Sequence, residues 1–300
     1  MAKGISLHVG VNETIADGID VSPLEGCVND AVAMQEIAQS RGFTTQLLVE
    51  GAATFDAVRN EIRAAAQQLD DGDIFLFTFS GHGTSRAAPI SSDEPDFYDE
   101  TIVLHDKVLV DNVLRLELWP RFKSGVRIVM VSDSCHSGSV TMAFPPDFQP
   151  DNGFGTSTAS STYAPSESNG GCESQTGDRI FAVRAIPQMQ ADEHFRRQSY
   201  FYREWDERLM PPPAAVAAEA QPILARVLLL AACKDEQMTL DGDPHGVFTQ
   251  ALLDAWRNGG SKKYTQLWEA VKPRVAPNTP VLKQVPKGSP LFSDTEAFKI

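Results

Sequence analysis

The stretch Asp73-Ile74-Phe75-Leu76-Phe77-Thr78-Phe79-Ser80-Gly81-His82-Gly83 is almost wholly apolar until it breaks into a polar, glycine-bearing turn. A second stretch has the same form: Val126-Arg127-Ile128-Val129-Met130-Val131 runs into Ser132-Asp133-Ser134-Cys135-His136-Ser137-Gly138. Strands without apolar/polar alternation belong in a parallel sheet covered on both faces. Working outward, residues 5–11 read as another buried strand, and Asn29 and Asp30 read as caps of a helix carrying Ala33, Met34, Ile37 and Ala38. Gly42 stops that helix, residues 45–49 form a strand, and Thr54 caps a helix through Leu69 with Val58, Ile62 and Ala65 on one face. This strand–helix alternation predicts an α/β sandwich with a central, mostly parallel sheet.

After residue 140 the pattern changes. Residues 144–171 are rich in Ser, Thr, Pro, Gly and Asn, and Pro211-Pro212-Pro213 marks a further break. Order resumes with an expected strand at 225–232, helices at 247–256 and 265–271, and a last strand at 281–285. The expectation is one domain in three parts: 1–140, a flexible insertion over 141–221, and 222–300, which completes the first part's sheet. The 300 residues are 42% hydrophobic and 22% charged, enough for a sizeable core. A formal net charge of −14 disfavours nucleic acid as a partner and favours cations and basic peptides. Four cysteines with no C-x-x-C pair exclude zinc-ribbon spacing and suit a reducing compartment. With no secretory signal and no apolar run long enough to span a bilayer, the expected location is the cytoplasm, away from membranes.

The two turns follow the carboxyl ends of expected parallel strands, where open α/β sheets place their sites. A thiol attacks as thiolate and needs a nearby base. His82 fits that role for Cys135 and would later protonate the leaving amine. The backbone N–H groups of Gly83 and Cys135 would form an oxyanion hole. Set against this, free cysteines are often inert core residues, but Asp133, Ser134 and His136 make an unusually polar setting for one. His8, His105, His194 and His245 show no partner pattern, and Cys27, Cys172 and Cys233 read as structural.

Ser80-Gly81-His82-Gly83 followed by Asp133-Ser134-Cys135-His136-Ser137-Gly138 resembles the catalytic motif pair of metacaspases and their prokaryotic relatives. Pro23-Leu24-Glu25-Gly26-Cys27-Val28-Asn29-Asp30-Ala31 is similar to the family's N-terminal motif, and Leu229 to Gln237 with Gly246 to Leu252 is similar to its small-subunit region. The histidine and cysteine are 53 residues apart, near the caspase spacing of about 50. The resemblance implies the caspase-like α/β/α sandwich and a cysteine endopeptidase working through a thioester. It implies cleavage after Arg or Lys, with Asp30 and Asp133 as the acidic pocket, so the expected partners are proteins or peptides with a basic residue before the cut. It implies a latent form activated by self-cleavage, an upstream protease or calcium. No cofactor is needed for the chemistry; the calcium candidates are Asp96, Asp99 and Asp111, although Met142 and Asn112 stand where the family carries acids. Arg179, Arg184, Arg196, Arg197, Arg203 and Arg208 are the processing candidates in the insertion. The rival expectation is a catalytically silent, caspase-like binding module.

Overall fold

The computed structural model describes residues 2–87, 98–135, 173–176, 179–209, 222–234, 237–257, 262–285 and 292–300. Strands β1 (Gly4–Gly10), β2 (Thr44–Val49), β3 (Ile74–Ser80), β7 (Arg127–Asp133), β10 (Arg226–Ala231) and β11 (Val281–Val285) form one sheet in the order β11-β10-β7-β3-β1-β2. All neighbours are parallel except β10 and β11. The uninterrupted apolar strands lie at its centre, where both faces are covered: every residue of β3 is buried.

Helices α1 (Cys27–Ser40), α5 (Val247–Arg257) and α6 (Tyr264–Val271) pack on one face through Met34, Ile37, Phe248, Leu252 and Leu267. Helix α2 (Phe55–Gln68) and residues 113–122 cover the other through Val58, Ile62, Leu114 and Trp119. This is an α/β/α sandwich. A small antiparallel sheet of β4 (Gly83–Ala87), β5 (Tyr98–Val103) and β6 (Val108–Val110) flanks it. Among the described residues, no helix is long and apolar enough to cross a membrane.

Two local expectations need correction. Helix α1 begins at Cys27 with Gly26 at its cap position, so Asn29 and Asp30 are not caps. Asp30 lies in the first turn and points into the protein, where Ser80 donates to it. Thr54 does cap α2, accepting from the Ala57 N–H.

The stretch expected to be a flexible insertion holds strands β8 (Glu173–Thr176) and β9 (Arg179–Ala182) and helices α3 (Gln188–Arg197) and α4 (Ser199–Leu209). The two helices are ordered by burial rather than by their own propensity. Ile186, Ala191 and Tyr202 join Val103, Val108 and Val110 in a third apolar cluster, and Phe201 and Trp205 pack edge-on against Phe55. The Ser/Pro/Gly-rich residues 144–171 lie outside the described residues.

Candidate active site

Strands β3 and β7 are neighbours, with Ser80 opposite Asp133, so the turns bearing His82 and Cys135 leave the sheet side by side. Their closeness demands glycine at 83: a Cβ there would be driven into the Cys135 carbonyl. Cys135 is fully buried, and its sulfur accepts from the Thr239 N–H at 3.1 Å. Burial pushes the Cys135 thiol well above the usual cysteine range, and the nearby Cys233 adds to the shift. Burial, with the positive charge of Arg184, pulls His82 down to about 4. Among the described residues, neither ring nitrogen of His82 has a partner at hydrogen-bonding geometry, although the Ser22 backbone lies close enough to favour its protonated form. Thiol and imidazole are therefore both neutral at neutral pH in this closed state.

What closes the site is the chain itself. The Arg184 carbonyl accepts from the Gly83 N–H at 2.9 Å and the Cys135 N–H at 3.4 Å. The backbone on either side is held as an extended peptide. Arg184 N–H donates to Thr239 O at 3.1 Å, Asp241 N–H to Ala182 O at 2.8 Å, and Ile186 N–H to Gly83 O at 3.0 Å. Val183 bridges Leu240 antiparallel, and Ala185 bridges Gly83 in parallel.

The Arg184 side chain is wholly buried and ends among three carboxylates: Asp30 at 2.8 Å, Asp133 at 3.1 Å and Asp241 at 2.8 Å. Ser80 Oγ and the Asp133 carbonyl also accept from it, at 2.7 and 3.0 Å. Each acid is braced from behind. Asp30 accepts from His245 Nδ1 and the Gly246 N–H, Asp133 from the Thr249 N–H and hydroxyl, and Asp241 from the N–H groups of Glu25 and Gly26. Burial raises the Asp30 pKa, but the Arg184 charge and the hydrogen bonds from His245, Arg184 and Ser80 outweigh it and leave the group below the usual range. In Asp133 burial wins over Arg184, and the pKa is raised.

The structure thus brings together His82, Gly83, Cys135, Asp30, Asp133 and one processing candidate, Arg184. It places the others elsewhere. Arg196 and Arg197 pair with Glu193 on the exposed side of α3, Arg203 faces Glu207 on α4, and Arg208 stacks on Trp205; Arg179 belongs to β9. Three contributors escaped the sequence reading. Asp241 stands in an irregular segment, and Thr239 and Ser80 look like ordinary turn residues. The signal for Asp241 was the acid in Leu240-Asp241-Gly242-Asp243 just before the Gly246 motif. His245, read as unpartnered, supports Asp30.

Of the calcium candidates, Asp99 and Asp111 are both buried. Asp96 lies outside the described residues. Asp99 is fully buried, but its Oδ2 accepts from Arg86 Nε at 2.9 Å and its Oδ1 from Asn112 Nδ2 at 2.9 Å. A guanidinium already stands where a cation would, so the residues around Asp99 do not fit a calcium ion. Among the described residues, no group of three or more acids, histidines and cysteines could hold a metal.

Comparison with known proteins gives the family and the fold. The Caspase domain family (Peptidase_C14) matches residues 4–293. Metacaspase-9 of Arabidopsis thaliana is 33% identical over 175 residues, 55% of this chain and 50% of that protein. Metacaspase-1 of Pyricularia oryzae is 26% identical over 298 residues, 90% of this chain and 68% of its own length. The chain thus aligns with about half the length of the plant relative. The crystal structure of protein GSU0716 from Geobacter sulfurreducens superposes with a TM-score of 0.73 at 31% identity, covering 99% of both chains.

Proposed function

The chain belongs to the caspase-domain peptidase family, and on that premise we propose that it is a latent cysteine endopeptidase that cuts after Arg or Lys and first cuts itself between Arg184 and Ala185. One observation carries the reading: Arg184 fills the three-carboxylate pocket while its carbonyl accepts from the Gly83 and Cys135 N–H groups. A peptide bond in that position is posed as a substrate, with its oxygen already at the donors that would stabilise an oxyanion.

In this mechanism the Cys135 thiol gives its proton to His82 as sulfur attacks the Arg184 carbonyl carbon. The carbonyl electron pair moves to oxygen, held by the two N–H groups. The tetrahedral species collapses, the bond to the Ala185 nitrogen breaks, and His82 returns the proton to that nitrogen. Arg184 is left as a thioester on Cys135. A water molecule, deprotonated by His82, attacks the thioester and frees the thiol and a new Arg184 carboxylate. No metal enters these steps. Calcium as an activator would have to act away from Asp99 or displace Arg86. Departure of the Arg184 segment would empty the pocket for other peptides with a basic P1 residue (the one before the cut). A buried, free thiol of this kind suits a reducing, cytoplasmic setting.

The test is incubation of the purified full chain with and without calcium, followed by N-terminal sequencing of the fragments. The expected product begins at Ala185, is absent in Cys135→Ala, and appears together with hydrolysis of Arg-P1 peptides. A native chain that stays intact and turns over neither peptide, even after nicking by a second protease, would replace this reading with the silent binding module.

A further inference from the structure

The pocket holds more than the pair of acids that the motifs suggest, and its donor–acceptor count is specific. A guanidinium has five N–H donors in a fixed fork, an ammonium three on a single atom. All five of Arg184 are matched. Nε and one Nη donate to the same Asp241 oxygen at 3.2 and 2.8 Å. That second Nη also donates to Asp30 at 2.8 Å, and the first Nη donates to Ser80 Oγ at 2.7 Å and Asp133 O at 3.0 Å.

Lysine carries a methylene where arginine carries Nε. The Asp241 oxygen would then face a C–H group, and the shorter chain would leave the Ser80 and Asp133 acceptors unmatched. The site has no slack for water to make up the difference. Arg184 is 0% exposed, Asp241 3% exposed, and a Cβ on Gly246 would strike the guanidinium. Asp241 cannot swing away to suit a different ligand, because its carboxylate is pinned by the N–H groups of Glu25 and Gly26 at 2.6 and 3.2 Å at the start of α1. Its own N–H meanwhile donates to the Ala182 carbonyl, two residues before Arg184.

We propose that Asp241 is the specificity-determining residue that makes this pocket select arginine over lysine. The inference rests on the peptidase reading for its kinetic arm only. A buried acceptor left facing a methylene is penalised far more than a missing surface contact.

The experiment compares kcat/KM for peptides identical except for Arg or Lys at P1, using native protein cleaved at Arg184 and its D241N variant. We expect the native enzyme to favour Arg by about 100-fold or more, a discrimination typical of sites whose polar groups demand a partner. In D241N, Arg turnover falls about 30-fold while Lys turnover changes less than about threefold, the pattern expected when the paired charge-assisted contacts from Nε and Nη to Asp241 are weakened. A merely structural role would lower both together. An unchanged Arg/Lys ratio in D241N, or a native enzyme indifferent to the two, overturns the proposal.

A second arm needs no catalysis. In full-length Cys135→Ala protein, R184K, D241N and the double variant form a cycle read by melting temperature. Non-additivity supports the proposal, with R184K costing several degrees beside Asp241 and clearly less beside Asn; strict additivity overturns it. If neither peptide is hydrolysed the peptidase reading fails, and this cycle decides the inference by itself.

Discussion

Burial keeps the Cys135 thiol and the His82 imidazole neutral in the closed chain, and under the proposed mechanism this has a measurable consequence at His82. The imidazole must be unprotonated to accept the thiol proton. Its pKa is lowered from 6.5 to about 4, so the base form persists well below the ordinary histidine midpoint. We expect the first-order rate of self-cleavage to stay level from neutral pH through 6 and to fall only toward pH 4. Appearance of the Ala185 fragment, followed wherever circular dichroism shows a folded chain, gives the profile; an acid limb centred on 6.5 would contradict it. Gly246 offers a steric test of the same pocket. Gly246→Ala should lower cleavage after Arg184 about 5- to 150-fold, the rate equivalent of the ~1–3 kcal/mol typical of overpacking. Quantifying the fragment over time checks this, and an unaffected rate would mean that the guanidinium does not need the space. At this scale His82, Gly83 and Cys135 could be named from local sequence, and Asp30 and Asp133 only through the family resemblance. Asp241 and Thr239 could not, because each acts through a contact more than 100 residues away in the chain, with Glu25 and Gly26 for one and Cys135 for the other.

Helices α3 and α4 are what hold Ala185 and Ile186 against β4, and Arg86 is their anchor. Its guanidinium donates to Asp99 on β5 and makes a two-pronged pair with Asp206 on α4, at 3.2 and 2.6 Å. The rings of Phe195 and Tyr202 lie 5.6 and 5.8 Å from it. The core partner, Asp99, is inaccessible to water, whereas Asp206 is 26% exposed. The two ends of the latch therefore differ in worth. Arg86→Met should cost about 3–5 kcal/mol, because it leaves Asp99 buried without its cation. Asp206→Asn should cost about 1 kcal/mol and mainly speed hydrogen exchange over Ser199–Leu209. Denaturant midpoints and exchange rates measure both, and equal effects would refute the asymmetry. Composition hid these helices within an insertion that begins as a Ser/Pro/Gly-rich segment. The signal was nonetheless present: Phe201, Trp205 and Leu209 recur every four residues, the spacing of one helical face.

For the whole molecule, acid stability follows from histidines buried neutral. His8 lies between Ser6 and Thr78 beneath the sheet and is depressed to about 3 by burial, and His82 to about 4. Between those values and 6.5 the unfolded chain binds protons that the folded chain does not, so stability falls as pH falls through that window. Each group contributes a few kcal/mol, at about 1.4 kcal/mol per pH unit. Melting temperature should therefore drop progressively from pH 6.5 to 4, and His8→Gln should flatten that slope; an unchanged slope in His8→Gln would remove His8 from the account. The sequence by itself determined the strands of the central sheet, the helices that cover it and the two turns that carry His82 and Cys135. Continuous apolar strands have few other stable arrangements, and a polar glycine turn at a strand's end is a local property. Only the tertiary structure decided which of six arginines enters the pocket, that three carboxylates rather than two surround it, and that a guanidinium occupies the neighbourhood of Asp99. Those outcomes depend on which distant groups share a space closed to water, where charge must find charge, and no local pattern encodes that pairing.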